Sequence, residues 1–159
     1  MKKGNILIVI PMLMILMGSV IYTGAKTPKQ NRSAIFYNDI SILQEAVTLQ
    51  ALTNYVESQQ MQNYEKDKYD GILSQQQVIG ENINNQLGNS VVLYKFEQNP
   101  EIDAGNIDFT QFCADKETGT VYHIKGVVIK ENGKKTVIYN KNTKSTVNIP
   151  STAIDISEY

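Results

Sequence analysis

The N-terminal part of the sequence contains a run of 20 residues, Ile6 to Ala25, without a charged side chain. At about 1.5 Å per residue, a helix of this length covers about 30 Å, the thickness of the hydrocarbon core of a bilayer. A soluble domain would have to surround a helix that is apolar on every face, and the remaining chain, rich in Asn, Gln and Lys, is poorly suited to that task. We therefore expect residues 1–25 to form a leader and a transmembrane helix in the lipid bilayer.

The flanks of this run leave three outcomes open: a cleaved secretory signal, an uncleaved anchor or a prepilin-type leader. Lys2 and Lys3 provide a basic start, but the run is longer than the apolar core of a typical signal and the small-residue site before Lys26 is a loose match. Length therefore favours an anchor over a conventional signal. Both flanks are basic, so charge does not decide the orientation. Because most of the polar chain follows the run, we expect a single-pass membrane protein with an extracytoplasmic C-terminal domain, which could reach the cell surface.

Residues 26–62 carry an apolar repeat of helical period. Pro28 predicts a kink or break after the apolar run, because proline lacks the amide hydrogen that a continuous helix uses. Asn31 or Ser33 could cap a new helix. Its apolar residues recur at alternating intervals of four and three. We expect this stripe to pack on the protein's own sheet rather than in a coiled coil, and its membrane-proximal end to be left for contact between subunits. The stripe comprises Phe36, Ile40, Leu43, Val47 and Gln50, widened by Ile35, Ile42, Leu49, Leu52 and Val56.

Residues 63–90 form a polar, variable region with weak periodicity. Its interspersed Ile, Leu and Val residues can reach a core, so we interpret it as folded chain rather than a low-complexity tract. A short helix over Ile72 to Leu87, ended by Gly88, is the expected element.

Residues 91–159 change to a period of two, which predicts a small antiparallel sheet. Expected strands are Val91 to Phe96, Phe109 to Ala114, Thr120 to Ile124, Gly126 to Lys130, Lys135 to Tyr139 and Ser145 to Ile149. Gly119 can take the positive φ of a tight turn, and Asn132-Gly133 is the strongest short hairpin signal. The sequence thus predicts an α+β protein, with a long N-terminal helix, transmembrane and then amphipathic, packed on a C-terminal antiparallel β-sheet head.

The order of basic start, apolar helix, amphipathic continuation and C-terminal sheet resembles that of type IV pilins and type II secretion pseudopilins. The stretch from Asp115 to Tyr122 is similar to a hairpin near the end of pilin-like proteins of Gram-positive type. The resemblance implies a degenerate leader cut after Gly4, which would leave Asn5 as the new N-terminus. It also implies that subunits associate through their N-terminal helices, where Gly18 and Ser19 would allow close packing.

Composition excludes several other classes of function. A net charge of −1 provides no basic face for nucleic acid, and one Cys and one His cannot form an internal disulfide or a zinc cluster. His123 lies in no recognisable catalytic motif and is interpreted as a surface or half-buried strand residue, while Cys113 is interpreted as a small buried hydrophobe. We expect no catalytic residue and no cofactor.

Four residues with side-chain oxygens are weak candidates for calcium ligands: Asp103, Asn106, Asp108 and Asp115. Their spacing is not that of an EF-hand loop, so solvated loop carboxylates are the favoured interpretation and no metal is expected. The leading hypothesis is a non-enzymatic, membrane-anchored pilin-like or pseudopilin-like subunit of a surface filament or of a secretion or DNA-uptake apparatus. The alternative is an anchored or secreted extracytoplasmic binding module that does not polymerise.

Overall fold

The structure, a computed structural model, describes residues 32–60, 67–98 and 107–158. These residues form an α+β fold with one long helix and mainly antiparallel strands, as the sequence predicts. The elements are α1 (Arg32–Gln60), β1 (Leu73–Val78), α2 (Glu81–Leu87), β2 (Leu93–Phe96), a 3-10 turn (Phe109–Gln111), β3 (Phe112–Asp115), β4 (Val121–His123), β5 (Val127–Glu131), β6 (Lys134–Ile138), β7 (Lys144–Ser145) and β8 (Ile154–Asp155).

Helix α1 has 29 residues and contains neither Gly nor Pro, so nothing in its sequence interrupts the backbone hydrogen bonds. Its buried face carries Phe36, Ile40, Leu43 and Val47, which confirms the predicted apolar positions. Ser33 lies inside the helix and therefore is not its cap, while Asn31 lies outside the described residues.

The segment predicted as one helix from Ile72 to Leu87 is half strand. Leu73–Val78 forms β1 and only Glu81–Leu87 is helical, so the prediction is wrong for the first half. The strand is stabilised by hydrogen bonds to β2. The spacing of apolar residues within the segment does not reveal this pairing. Gly88 ends α2 as predicted, with a φ of 70° and its amide donating to Asn84 O at 2.9 Å.

Sheet A, which consists of β1 to β4, is antiparallel throughout, in the order β1-β2-β3-β4. The predicted strand from Phe109 to Ala114 begins only at Phe112. The preceding residues turn because the carboxylate of Asp108 accepts from the amide of Thr110 and caps the 3-10 turn. The predicted turn between β3 and β4 is confirmed, with Gly119 at a φ of 74°.

Sheet B, which consists of β5 to β8, corrects the prediction of a single antiparallel meander. Its order is β7-β6-β5-β8, and β8 pairs with β5 in parallel. The β5–β6 hairpin closes on Asn132 and Gly133 with φ values of 50° and 78°, as the Asn-Gly signal predicts. Asn140 joins the two sheets, because its side chain donates to Val121 O at 3.1 Å and accepts from the amide of Thr143 at 2.7 Å.

Sheet A is covered on both faces, which explains why all residues of β3 and β4 are buried. Helix α1 covers one face and α2 lies on the other. The α1 side holds Phe36, Ile40, Leu43, Val47, Phe96, Phe112, Ala114 and Val121, joined by Val127, Ile129 and Ile138 of sheet B. The α2 side holds Ile83, Leu93, Cys113, Tyr122, Val128, Val137 and Tyr139.

Candidate interaction surface

Helix α1 carries a second set of apolar residues, which were predicted from the sequence to widen the first stripe. We call it the outer stripe: Ile35, Ile42, Leu49, Leu52 and Val56. Four of these residues recur at intervals of seven, a spacing that returns to nearly the same side of a helix. At 100° per residue that side lies roughly opposite the face that packs on sheet A.

The outer stripe has no partner within the described residues. Ile35 is 52% exposed and Leu52 is 44% exposed, while the other three members are half-buried. None of the five packs against either core cluster of the head. Exposed Asn38 and Glu45 lie on the same side of the helix, so the outer stripe is a row of apolar residues interrupted by polar ones. Exposed apolar residues in such a row are typical of a surface that another helix covers.

Two side-chain amides hold α1 on the head and thereby keep the outer stripe turned away from it. Gln44 Nε2 donates to Gly119 O and its Oε1 accepts from the amide of Val121, both at 3.0 Å. Ten residues further along, Asn54 is 1% exposed. Its Nδ2 donates to three carbonyl oxygens of the loop before β1, those of Asp67, Lys68 and Asp70, at 3.2, 3.1 and 2.9 Å.

Neither amide was among the residues predicted from the sequence to form a site. Asn54 lies seven residues after Val47 on the buried face of α1, so a polar residue at a core position was a detectable signal. Gln44 lies on the flank of that face, and only its hydrogen bonds in the folded chain reveal what it does.

His123 is fully buried, with 2% of its surface exposed, so its interpretation as a surface or half-buried residue is wrong. Its ring lies between the rings of Phe36 and Phe112, with centroid distances of 5.7 and 5.2 Å in edge-on geometry. Nε2 lies 3.2 Å from Gln111 Oε1, whereas Nδ1 is buried without a partner among the described residues. Burial, and secondarily the charge of Lys125, lowers the pKa of His123 to about 4, so the ring is neutral at pH 7.

Cys113 is fully buried in the α2-side cluster, which confirms its interpretation as a small buried residue. Burial raises the pKa of its thiol to about 12. Its Sγ lies 3.7 Å from the carbonyl oxygen of Tyr122. The thiol is therefore protonated and shielded from solvent, which makes it a poor nucleophile.

The structure describes two of the calcium candidates, Asp108 and Asp115, and each forms hydrogen bonds within its own turn. Asp108 accepts from the amide and hydroxyl of Thr110, which, with Gln111, lowers its pKa. Asp115 is buried and accepts from the amide of Glu117 and the hydroxyl of Thr118. The two carboxylates lie at opposite ends of β3, and no group of three or more His, Cys, Asp or Glu residues suited to a metal occurs in the described part of the chain.

The remaining predicted site residues are Asp103, Asn106, Gly4, Asn5, Gly18 and Ser19. All six lie outside the described residues. Among the helices that are described, none is long and apolar enough to cross a membrane. The membrane segment and the leader thus stay predictions from the sequence.

Comparisons with known proteins identify no relative of this chain. No protein-family model matches the chain, and no curated protein or solved structure gives a significant match.

Proposed function

We propose that this chain is a non-enzymatic, membrane-anchored subunit of pilin-like or pseudopilin-like type, acting in a surface filament or in a secretion or DNA-uptake apparatus. Its anchor is the apolar run from Ile6 to Ala25, and the α+β head lies outside the cytoplasm. The observation that carries the proposal is the outer stripe of α1, because a helix with two apolar faces can serve its own head and a neighbouring subunit at once.

The outer stripe has the dimensions of a helix–helix contact. From Ile35 to Val56 it extends over 21 residues, or about 32 Å of helix. Covering the apolar surface that its five side chains leave exposed would contribute about 1 kcal/mol for each residue. The stripe begins ten residues after Ala25, where the apolar run ends, so one interface could continue from the bilayer into the head.

Cysteine cross-linking tests whether the outer stripe meets a second copy. Ile42→Cys in the full chain should give cross-linked dimers in membranes under mild oxidation, because the same residue of a neighbour would lie close by. Gln76→Cys, at an exposed position of β1, is the matched control and should stay monomeric. The buried Cys113 provides a silent background. Equal cross-linking at positions 42 and 76 would count against a specific helix contact.

Mass spectrometry of the membrane-extracted protein tests the leader. A chain that starts at N-methylated Asn5 supports the proposal, and Gly4→Ala should then abolish the processing. An intact Met1, or a cut near Ala25, would exclude prepilin processing.

The alternative function is an extracytoplasmic binding module, anchored or secreted, that does not polymerise. Val9 favours it, since the pilin family that the sequence resembles usually has a glutamate at this point of the mature helix. The two functions differ in the cross-linking experiment, because a module that does not polymerise gives no dimers through position 42.

A further inference from the structure

The charged residues of the head are segregated between its two parts. Residues 121–158, which contain all of sheet B, carry six lysines and three carboxylates, a net charge of +3. The described residues before them, 67–98 and 107–120, carry three lysines and seven carboxylates, a net charge of −4. The near-zero charge of the whole chain therefore conceals a separation of positive and negative charge within the head.

The basic and acidic parts of the head lie at opposite ends of α1. At the start of the helix, the hydroxyl of Tyr37 donates to Glu131 Oε1 of β5 at 3.4 Å. Towards its end, Asn54 holds the backbone of the loop that carries Asp67 and Asp70. The two contacts are 17 residues apart, or about 26 Å along the helix axis. The basic part thus lies beside the N-terminal end of α1, which is nearer in sequence to the apolar run, and the acidic loop lies at the other end.

Part of this positive charge lies in what we call the basic tip: Lys130, Lys134 and Lys135 near the turn of the β5–β6 hairpin, and Lys144 of β7, whose ammonium group reaches Glu131 of β5. All four lysines are exposed. Lys130 and Lys135 are direct cross-strand neighbours, an arrangement in which like charges repel. Lys135 binds Asp155 at 2.7 Å and Lys144 binds Glu131 at 3.0 Å. Lys130 and Lys134 form no ion pair with any described residue, so their charge is available to an external anion.

We propose that the basic tip contacts anionic lipid headgroups of the bilayer that anchors the chain, which orients the head on the membrane. The proposal rests on the anchored topology given above. From Ala25 to Arg32 the chain can extend at most about 24 Å, and Tyr37 lies about 8 Å further along α1, so the residues beside the basic tip can lie no more than about 32 Å from the end of the apolar run. Near an anionic surface, each lysine strengthens such a contact about fivefold.

Lipid is favoured over other anionic partners by the position of the charge. The basic tip lies at the membrane-proximal end of α1, and the acidic loop faces away from the bilayer. A second copy of the chain could offer its acidic loop to the same lysines, and this contact is distinguished in the experiment below by its dependence on protein density.

Lysine footprinting of the full-length protein in vesicles tests the contact without altering the chain. Acetylation rates of individual lysines would be measured by mass spectrometry in vesicles of phosphatidylcholine alone and of phosphatidylcholine with about 30% phosphatidylglycerol. We expect acetylation of Lys130 and Lys134 to slow at least about threefold in the anionic vesicles, and the protection to vanish at about 0.5 M NaCl, where the Debye length is about 4 Å. Lys68 and Lys95, exposed in the acidic part of the head, are internal controls and should not change.

Charge reversal provides the second measurement. Lys130→Glu with Lys134→Glu should abolish protection of the remaining lysines of the basic tip, whereas Lys68→Glu with Lys95→Glu should leave it intact. Equal acetylation in the two kinds of vesicle would overturn the proposal, and so would protection that appears in neutral vesicles and grows with protein density, which indicates a contact between copies. Release of the protein by alkaline carbonate would instead refute the anchor itself.

Discussion

His123 should make the stability of the head fall as the pH drops from about 6.5 to about 4. In the unfolded chain a histidine has a pKa of about 6.5, whereas burial lowers the pKa of folded His123 to about 4. Between these values the unfolded state binds a proton that the folded state does not, so acid favours unfolding. Stability is thus complete above pH 6.5 and is lost progressively down to pH 4. At 1.36 kcal/mol per pKa unit, the loss amounts to about 3 kcal/mol.

Denaturant unfolding of the full chain in detergent, followed by circular dichroism at several pH values from 7 to 4, measures this loss. His123→Phe is the matched variant, because it keeps an aromatic ring between Phe36 and Phe112 but does not titrate. Its stability should fall less over this interval, because only carboxylates with a lowered pKa, such as Asp108, remain to lose stability near pH 4. A loss of about 3 kcal/mol is a large share of the 5–15 kcal/mol that is typical of a folded domain, so the two curves should separate clearly.

Two results would refute this reasoning. Parallel stability curves for the wild-type protein and His123→Phe would show that other groups cause the acid sensitivity. Because the chain has one histidine, its imidazole signals can also be followed directly by NMR. A titration midpoint near 6.5 in the folded protein would mean that the ring is not held in its neutral form by burial.

Three further predictions concern other contacts of the head. Asn54→Ala should cost about 2–4 kcal/mol in unfolding free energy, because three carbonyl oxygens lose a buried side-chain donor, while Asn38→Ala at an exposed position of α1 should change it by less than about 0.5 kcal/mol. Gly119→Ala should destabilise more than Gly133→Ala: both have positive φ, but an added Cβ meets a tyrosine hydroxyl at 2.6 Å only at position 119. We expect the first to cost about 3 kcal/mol and the second about 1 kcal/mol, measured by the same unfolding assay. Cys113 should resist a thiol reagent at pH 8 in the folded protein and react within the dead time once denaturant unfolds it; rapid reaction without denaturant would contradict its burial.

The features that the sequence predicted well depend on neighbours in the chain. Asn132-Gly133 requires only two residues that accept positive φ, and the buried face of α1 requires only a period of 3.6. Gly88 likewise ends its helix through a local hydrogen bond. Each of these signals lies within a short stretch of the chain, so a single sequence was enough to predict the feature.

The features that it missed depend on contacts between distant segments. The apolar residues between Ile72 and Val78 fit a helix as well as a strand, and the choice is made by pairing with β2 some 20 residues later. The parallel pairing of Ile154 with Val127 joins residues 27 apart and has no local signature. In the same way, the outer stripe was visible as apolar residues, but only the position of sheet A shows that it faces outwards.

The bonds of Gln44 also determine how the head would respond to a mechanical load. The side-chain amide joins α1 to the backbone at Gly119 and Val121, and Asn54 joins it to the chain around Asp67. A pull on the N-terminal end of α1, directed along its axis, would stretch both attachments at the same time, since the two are fixed to one rigid helix. The helix would then come off in one cooperative step and not turn by turn. The force that the head withstands is thus set by the two amides together with the apolar face between them.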